Sequence, residues 1–216
     1  MFVGHYSASM AAKAAEPRVP LWTYFIASQL LDVGWGAFVI VGIEKVRVDP
    51  GLPGSVFDLY DMPWTHSLLA AIAWSLAGAF FFKRLLRLPS RAAVFIGLVV
   101  FSHWALDLVV HRPDLLLWPG GPKVGLGLWN YPVLEEAIEM GLVAIAAVVW
   151  AASCVRRGEA EWRAAALILL MTGMQAFVIA SPPTGNHIVI GASVLAAYAV
   201  LAAGAWWAEH APKHTH

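Results

Sequence analysis

Six long apolar stretches constrain this chain more than any other feature, because each is close to the length that crosses a lipid bilayer as a helix. They occupy residues 21–43, 67–82, 92–110, 133–152, 164–180 and 188–208. Prolines and glycines separate them, as helix ends require. With 60% hydrophobic and 13% charged residues, the chain has too little polar surface for a soluble domain. The sequence therefore predicts an all-α, polytopic membrane protein with about six transmembrane helices.

The distribution of Lys and Arg predicts the orientation of these helices. Most of the basic residues lie on the side that holds both termini and the second and fourth loops: Lys13, Arg18, Lys83, Arg84, Arg87, Arg91, Arg156, Arg157, Arg163 and Lys213. The opposite side has Lys45, Arg47, Arg112 and Lys123. Because basic loops stay in the cytoplasm, we expect both termini there and the loops after the first and third spans outside. In a Gram-negative cell, those loops would face the periplasm.

Other whole-chain features narrow the class further. The formal net charge is zero and no basic run occurs, so the expected partner is the lipid bilayer and not nucleic acid. The single cysteine, Cys154, excludes an internal disulfide and a cysteine-based zinc site. No internal repeat divides the chain. We therefore expect one integral membrane domain over residues 1–216, with the metal site in 1–130 and mainly scaffold helices in 131–216.

The segment before the first span predicts a short helix. Residues 1–17 are too short to cross a bilayer and lack the basic start of a signal peptide. If Lys13 and Glu16 lie at the cytoplasmic surface, the helix carries His5 about 12 Å or more into the bilayer. His5 would then approach the other polar residues of the bundle from below.

His103, Asp107 and His111 recur every fourth residue at the end of the third apolar stretch. On an α-helix this spacing places the three side chains within an arc of about 80°, stacked over about 12 Å of one face. Imidazole and carboxylate groups on one stripe suit a divalent metal. A structural Asp–His pair between two helices is the alternative. Because a carboxylate at membrane depth costs several kcal/mol unless it is paired or metal-bound, the pattern favours a functional interior.

Other ionisable residues are expected at similar depth. Counting about 1.5 Å per residue from the cytoplasmic boundaries places Asp32 about 16 Å, His103 about 18 Å and Asp107 about 24 Å into the membrane. His66 and Glu139 fall near 25 Å by the same count. A polar cavity that opens outward would hold all of these groups without exposing charge to lipid.

Four short segments resemble a bacterial family. GHYSAS, LLDVGW, MPWTHSLLA and SHWALDLVVHRPDLLLWP, in this order, are similar to the LexA-regulated inner-membrane proteins described as metal-dependent hydrolases. The similarity runs from Met1 to about Pro119. It implies an inner-membrane location and the following metal ligands: His5, Asp32, His66, His103 and Asp107.

The chain departs from that family in two places. Gly34 and Trp35 stand where the family often has a second Asp and a His. Asp61 or Met62 stands where it has a His before Thr-His-Ser. Fewer ligands remain, so the site would hold one or two metals, and Asp58, Asp61 or His111 could replace what is missing.

The residues themselves are compatible with hydrolysis. Neutral imidazoles and carboxylates can hold Zn²⁺, or Fe or Mn, and lower the pKa of bound water toward about 7. No Gly-x-Ser-x-Gly or His-Glu-x-x-His motif is present, which leaves metal-activated water as the route. Asp107 would bind the metal or orient an imidazole. Glu139 is the candidate general base or additional ligand, and His111 a further ligand.

Arg112 and Lys123 lie in the outward loop after the third span, where they would suit the phosphate of a lipid-linked or amphiphilic phosphoester. Arg112 could instead pair with Asp114 or Asp107. Thr65 could cap the second span. As the alternative to a ligand role, Asp58 or Asp61 could serve only to cap and solvate the loop.

Two other functions fit an intramembrane His/Asp cluster. The first is a metal-ion or proton-coupled transporter, which needs polar groups that continue to the cytoplasmic face. The inner halves of spans two to four are nearly free of ionisable residues, which favours a pocket with one opening. The second is a non-catalytic relative that keeps its charges to assemble a complex, and it would contain no metal.

Overall fold

The helices of the computed structural model, which describes residues 1–158 and 162–210, follow the apolar stretches. In chain order they are α1 (Tyr6–Ala15), α2 (Leu21–Ser28), α3 (Leu30–Ile40), α4 (Leu68–Leu85), α5 (Ser90–Val110), α6 (Pro132–Arg156), α7 (Trp162–Ala180) and α8 (His187–His210). Helices α4 to α8 are each long and apolar enough to cross a membrane, and the bent α2–α3 pair gives a sixth span if taken as one. The predicted all-α, polytopic fold is confirmed.

The first span is broken in the middle. Helices α2 and α3 meet at Gln29 with a bend of 54°, where the sequence predicted one continuous helix. The Gln29 side chain is fully buried and its Nε2 donates to the carbonyl of Phe2 at 3.1 Å. The break opens the helical hydrogen-bond ladder at Ser28 and places Asp32 in the first turn of a new helix. A carboxylate is favoured there by the helix dipole.

Helix α1 lies inside the bundle, packed mainly against α2 and α6. Tyr6 and Met10 are fully buried, and the Ser9 hydroxyl donates to the Tyr24 carbonyl at 2.8 Å. A 3₁₀ turn at Val3–His5 precedes the helix and contacts α6. The predicted short helix is therefore present, and its amino end carries His5 deep into the protein.

Two short antiparallel hairpins occupy the loops after α3 and α5, and the sequence did not predict them. Strand β1 (Lys45–Val48) pairs with β2 (Phe57–Asp61), and β3 (Leu115–Leu116) pairs with β4 (Lys123–Val124). Strands of two to five residues are too short for a clear alternating pattern. We call the end of the bundle that carries both hairpins the loop end.

The opposite end holds a set of ion pairs that we call the ion-pair cluster: Lys13, Glu16, Arg18, Arg91 and Glu209. This end carries most of the basic residues from which the orientation is predicted, although Lys213 lies outside the described residues. The cytoplasmic location of this end stays a prediction.

Two glycines allow α3 and α8 to cross closely. A Cβ on Gly191 would lie 2.5 Å from the carbonyl oxygen of Gly36, so neither helix could carry a larger residue at this crossing without moving apart. Small residues permit such backbone contact between membrane helices. The crossing brings α8 alongside the half of α3 that carries Asp32.

Candidate metal centre

The structure brings all the sequence-predicted metal ligands together near the loop end. We call them the His–Asp cluster: His5, Asp32, His66, His103, Asp107 and His111. They come from the turn before α1, from α3, from the segment before α4, from the last turns of α5 and, for His111, from the residue that follows α5. Five of the six are buried, and the Asp32 side chain is 19% exposed. His111, which the family resemblance did not include, joins the cluster directly.

Asp107 is the centre of the cluster. Its Oδ1 lies 3.2 Å from His5 Nε2 and 3.4 Å from His111 Nε2. Its Oδ2 lies 3.1 Å from His103 Nε2 and 3.7 Å from His66 Nε2. The carboxylate thus divides four imidazoles into two pairs, one facing each oxygen.

Asp32 completes one of these pairs. Its Oδ1 lies 3.1 Å from His66 Nε2 and 3.6 Å from His103 Nε2. Its Oδ2 accepts a hydrogen bond from the Tyr198 hydroxyl of α8. Sequence reasoning assigned α8 to the scaffold, and a lone tyrosine in an apolar helix gave no signal of this contact.

Three of the imidazoles are oriented through Nδ1. His103 Nδ1 donates at 2.7 Å to the Ser28 carbonyl that the α2–α3 break makes available. His111 Nδ1 lies 2.9 Å from Asp114 Oδ1. His66 Nδ1 lies 2.7 Å from Thr65 Oγ1, whose own proton goes to a carboxylate. An imidazole that donates from Nδ1 presents a lone pair at Nε2 when neutral, as metal binding requires.

Glu44 is a second residue beside the cluster, after Tyr198, that the sequence did not predict. It is 1% exposed, and its Oε2 accepts from the Thr65 hydroxyl at 2.6 Å. Its Oε1 accepts from the amides of Trp64 and Thr65 at 2.7 and 2.9 Å. Burial raises the pKa of this carboxyl, while the hydrogen bond from Thr65 lowers it. Thr65 does not take the cap role that the sequence allowed, because Ser67 caps α4 by accepting from the Ala70 amide.

Several buried polar atoms in the cluster have no hydrogen-bond partner among the described residues. They are both ring nitrogens of His5, Nε2 of His103 and Oδ2 of Asp107. The His5 and His103 rings stack at 3.8 Å between centroids, nearly parallel, so two protonated rings here would repel each other. Unsatisfied buried polar atoms are costly, which makes their convergence informative. The arrangement could hold a metal ion in two overlapping sets, His5–His103–Asp107 and Asp32–His66–His103.

Glu139 is engaged elsewhere. Its Oε1 accepts hydrogen bonds from the amides of Phe2 and Gly4, and Gln175 Nε2 lies 3.4 Å from its Oε2. It lies in an acidic group with Glu135, which is also buried, and the half-buried Glu136. These contacts hold the segment that carries His5, and a role of Glu139 as general base stays a prediction.

The two predicted substrate-binding cations lie at the loop end. The Arg112 guanidinium donates to the carbonyls of Pro53 and Ser55, and it packs 5.4 Å from the Trp129 ring centroid. Lys123 Nζ donates to the Tyr60 carbonyl at 3.0 Å. Arg112 therefore contacts backbone oxygens, and the salt bridge with Asp107 or Asp114 that the sequence allowed is not formed.

The two departures from the family pattern have structural counterparts. A Cβ on Gly34 would lie 3.1 Å from the Trp74 ring and 3.2 Å from Thr65, so this position has little room for a ligand. Met62 is buried in an apolar cluster. Asp58 pairs with Arg47, and Asp61 lies 3.9 Å from Lys45, so of the three proposed replacements only His111 lies in the cluster.

The comparisons with known proteins agree with this architecture. No match was found among curated proteins or among solved structures. A family model described as YdjM inner membrane protein matches residues 2–181, which covers the entire His–Asp cluster and extends through α7. The chain, a multi-pass protein of the inner membrane, belongs to the YdjM inner membrane protein family.

Proposed function

We propose that this protein is a membrane-embedded, metal-dependent hydrolase whose metal centre is the His–Asp cluster. One observation carries the proposal: four Nε2 atoms and three carboxylate oxygens converge at 3.1–3.7 Å. Three of the imidazoles carry their proton-donating contacts on the far nitrogen. Lone pairs that face lone pairs repel, and a divalent cation between them removes that repulsion.

The donor set fits such an ion. Imidazole nitrogens and carboxylate oxygens are ligands of Zn²⁺, and also of Fe²⁺ and Mn²⁺. Asp32, His66 and His103 would supply three donors for one ion. His5, His103 and Asp107 would supply the alternative set, which shares His103 with the first. We propose zinc, since tetrahedral nitrogen and oxygen sites are characteristic of it.

The chemistry of a bound divalent ion is to polarise a substrate oxygen and to lower the pKa of water toward about 7. The protein's own residues would hold and orient the site. Asp107 would fix both histidine pairs through its two oxygens, and Glu44 would fix His66 through Thr65. Burial of five of the six ligands excludes bulk water, which strengthens electrostatic interactions inside.

We infer that the loop end faces the periplasm. The basic residues at the helix ends gather at the opposite end, as the positive-inside rule requires for the cytoplasmic side. The substrate would then be a lipid-linked or otherwise amphiphilic phosphoester that approaches from the outer leaflet. Arg112 and Lys123 would provide positive charge for its phosphate.

Metal analysis of the purified protein tests the proposal first. Wild-type protein in detergent should contain one or more equivalents of zinc, iron or manganese by plasma mass spectrometry. His103→Ala and Asp32→Asn should lose it. His187→Ala is the matched control, since His187 is exposed at the start of α8 and should leave metal content unchanged.

The competing account is a structural charge network in which two protonated imidazoles balance the two carboxylates. It predicts folded, metal-free wild-type protein. Such a protein should not hydrolyse lipid phosphoesters either. Folded, metal-free and inactive wild-type protein would therefore overturn the hydrolase proposal.

Transport is the less favoured alternative. At the end opposite the loops, Lys13 is held by Glu209 at 2.6 Å and by the carbonyls of Pro17 and Val19 at 2.9 Å. Such fully engaged charges close this end of the bundle. We therefore expect no metal uptake by proteoliposomes that contain the purified protein.

A further inference from the structure

A cavity of about 320 Å³ lies at the loop end, between the loops that carry the two hairpins. Two cations, Arg112 and Lys123, line it together with three carboxylates, which belong to Asp49, Asp58 and Asp114. Leu52, Phe57 and Tyr60 add apolar surface. The cavity therefore combines both signs of charge with an apolar wall.

The cations are held in position with donors to spare. Two backbone carbonyls fix one end of the Arg112 guanidinium, and its buried Nε has no hydrogen-bond partner among the described residues. The Lys123 ammonium donates one hydrogen bond, to Tyr60. Because an ammonium has three N–H groups and a guanidinium five, both side chains can donate further bonds to a ligand.

The carboxylates are also fixed while keeping acceptor capacity. Asp58 Oδ2 accepts from Arg47, and Asp49 Oδ1 accepts from the Gly51 amide at 2.9 Å. Each carboxylate has a second oxygen with lone pairs available. Three negative charges would repel a simple phosphate, and two positive charges would repel a simple amine. A ligand that carries both groups would use both sets of side chains.

Asp114 connects this cavity to the His–Asp cluster. Its Oδ1 lies 2.9 Å from His111 Nδ1, and His111 Nε2 lies 3.4 Å from Asp107 Oδ1. Asp114, in the lining of the cavity, therefore contacts a member of the candidate metal centre directly. A phosphoester bound in the cavity would lie beside that centre.

We propose that this cavity binds a phosphoester that also carries a primary ammonium group, with the phosphate at Arg112 and Lys123 and the ammonium at Asp49 and Asp58. An ethanolamine phosphate headgroup is the membrane-borne form of this chemistry. Hydrolysis of the bound phosphoester would rest on the proposed function, but its binding in the cavity does not.

Calorimetric titration of the protein in maltoside micelles tests the inference. O-phosphoethanolamine should bind at least tenfold more tightly than glycerol 3-phosphate, which lacks the amine, or ethanolamine, which lacks the phosphate. Lys123→Gln and Asp58→Asn should each weaken binding about tenfold or more. Lys45→Gln is the matched control, because Lys45 is exposed on the same hairpin as Asp58 and does not line the cavity.

Short-chain lipids distinguish the source of the ligand. Dihexanoyl phosphatidylethanolamine should bind more tightly than free O-phosphoethanolamine if the apolar wall contacts a lipid, and equally if the free ester is the ligand. Equal affinity for the ethanolamine and glycerol phosphates would overturn the inference, and so would no binding of either. Metal content measured on the same samples separates the two proposals. Bound metal without selective ligand binding would contradict only this inference. Selective ligand binding without metal would contradict only the proposed hydrolase function.

Discussion

The bundle buries charged side chains at both ends, but the two clusters differ in how their polar atoms are matched. In the ion-pair cluster every contact joins a donor to an acceptor: Lys13 meets Glu209 at 2.6 Å, and Arg18 holds Glu16 through two nitrogens at 2.6 and 2.7 Å. In the His–Asp cluster, carboxylate oxygens face ring nitrogens at 3.1–3.7 Å, and several of these atoms lack a hydrogen-bond partner among the described residues.

This difference helps to distinguish a structural cluster of buried charges from one that binds a ligand. A matched cluster is complete without a ligand, and its role is to hold helices together. An unmatched cluster has a cost that a folded protein must offset, and a bound cation is one way to offset it. We therefore expect substitutions at the two ends to separate metal binding from stability.

The largest expected effect is from Asp107→Asn. The substitution puts an NH₂ donor in place of a carboxylate oxygen that faces two imidazoles. It therefore removes the carboxylate that both histidine pairs share. We expect metal affinity to fall on the order of 100-fold or more. Competition with a chelator of known affinity measures this, and Glu209→Gln, in the other cluster, should keep wild-type affinity. An Asp107→Asn protein with full metal affinity would show that the cluster is not the metal centre.

Lys13→Met should lower stability and leave metal binding unchanged. Removal of the ammonium leaves the Glu209 carboxylate, 17% exposed, without its closest cation. Breaking such a pair should cost about 3 kcal/mol of unfolding free energy. Thermal unfolding in detergent measures the loss, while metal content should stay at the wild-type value. If Lys13→Met lost metal without losing stability, the division of roles between the two ends would be wrong.

Glu44→Gln should have a smaller effect, confined to the His–Asp cluster. The substitution weakens the acceptor that orients Thr65 and, through it, His66. We expect metal affinity to fall about 10–100-fold, the usual range for partners of ligating histidines. The visible spectrum of the Co²⁺-substituted protein should shift as well, which a purely structural role would not produce. Thr65→Ser keeps the hydroxyl and should bind like the wild type, whereas Thr65→Val should bind like Glu44→Gln.

Tyr198→Phe should lower metal affinity measurably, but by less than about tenfold. It removes one hydrogen bond to Asp32 Oδ2. A bond to a charged group contributes about 1.5–3 kcal/mol, but Tyr198 contacts Asp32 with or without metal, so only the difference between the two states changes the affinity. Tyr24→Phe is the matched control, since the Tyr24 hydroxyl donates to the Glu16 carbonyl at 3.2 Å in the opposite half. Identical metal affinities for all three proteins would show that Asp32 is oriented without α8.

The smallest effect concerns acid stability at the ion-pair cluster. The hydrogen bonds and charge of Arg18 lower the pKa of Glu16 below its usual 4.5. Since the folded-state pKa is depressed, this stabilisation is present above about pH 4.5 and is lost as the pH falls through the folded pKa. The melting temperature of wild type should therefore exceed that of Arg18→Gln at pH 6, and the gap should narrow below pH 4.5. A constant gap would show that protonation of the Glu16 carboxylate does not cause the difference in melting temperature. Acid would also release bound metal, but it would do so in both proteins and would not change the gap.

The fold was largely readable from the sequence because lipid imposes one strong rule. A chain segment in the bilayer must satisfy its own backbone hydrogen bonds, so long apolar stretches such as 92–110 and 188–208 become helices. The hairpins at Lys45–Val48 and Leu115–Leu116 were not foreseen, since they lie outside lipid and are held by a few cross-strand bonds. The break at Gln29 was not foreseen either, because its cause is a contact with Phe2, 27 residues away.

The candidate ligands were also visible in the sequence, as ionisable residues where apolar ones are expected. Helical spacing alone put His103, Asp107 and His111 on one face. What the tertiary structure decided is which atoms meet: that Asp107 divides the histidines into two pairs, that Glu44 and Tyr198 act on the cluster, and that Glu139 holds the N-terminal segment. Sequence fixes the composition of each helix face, but distances between helices depend on packing, such as the close crossing at Gly36 and Gly191.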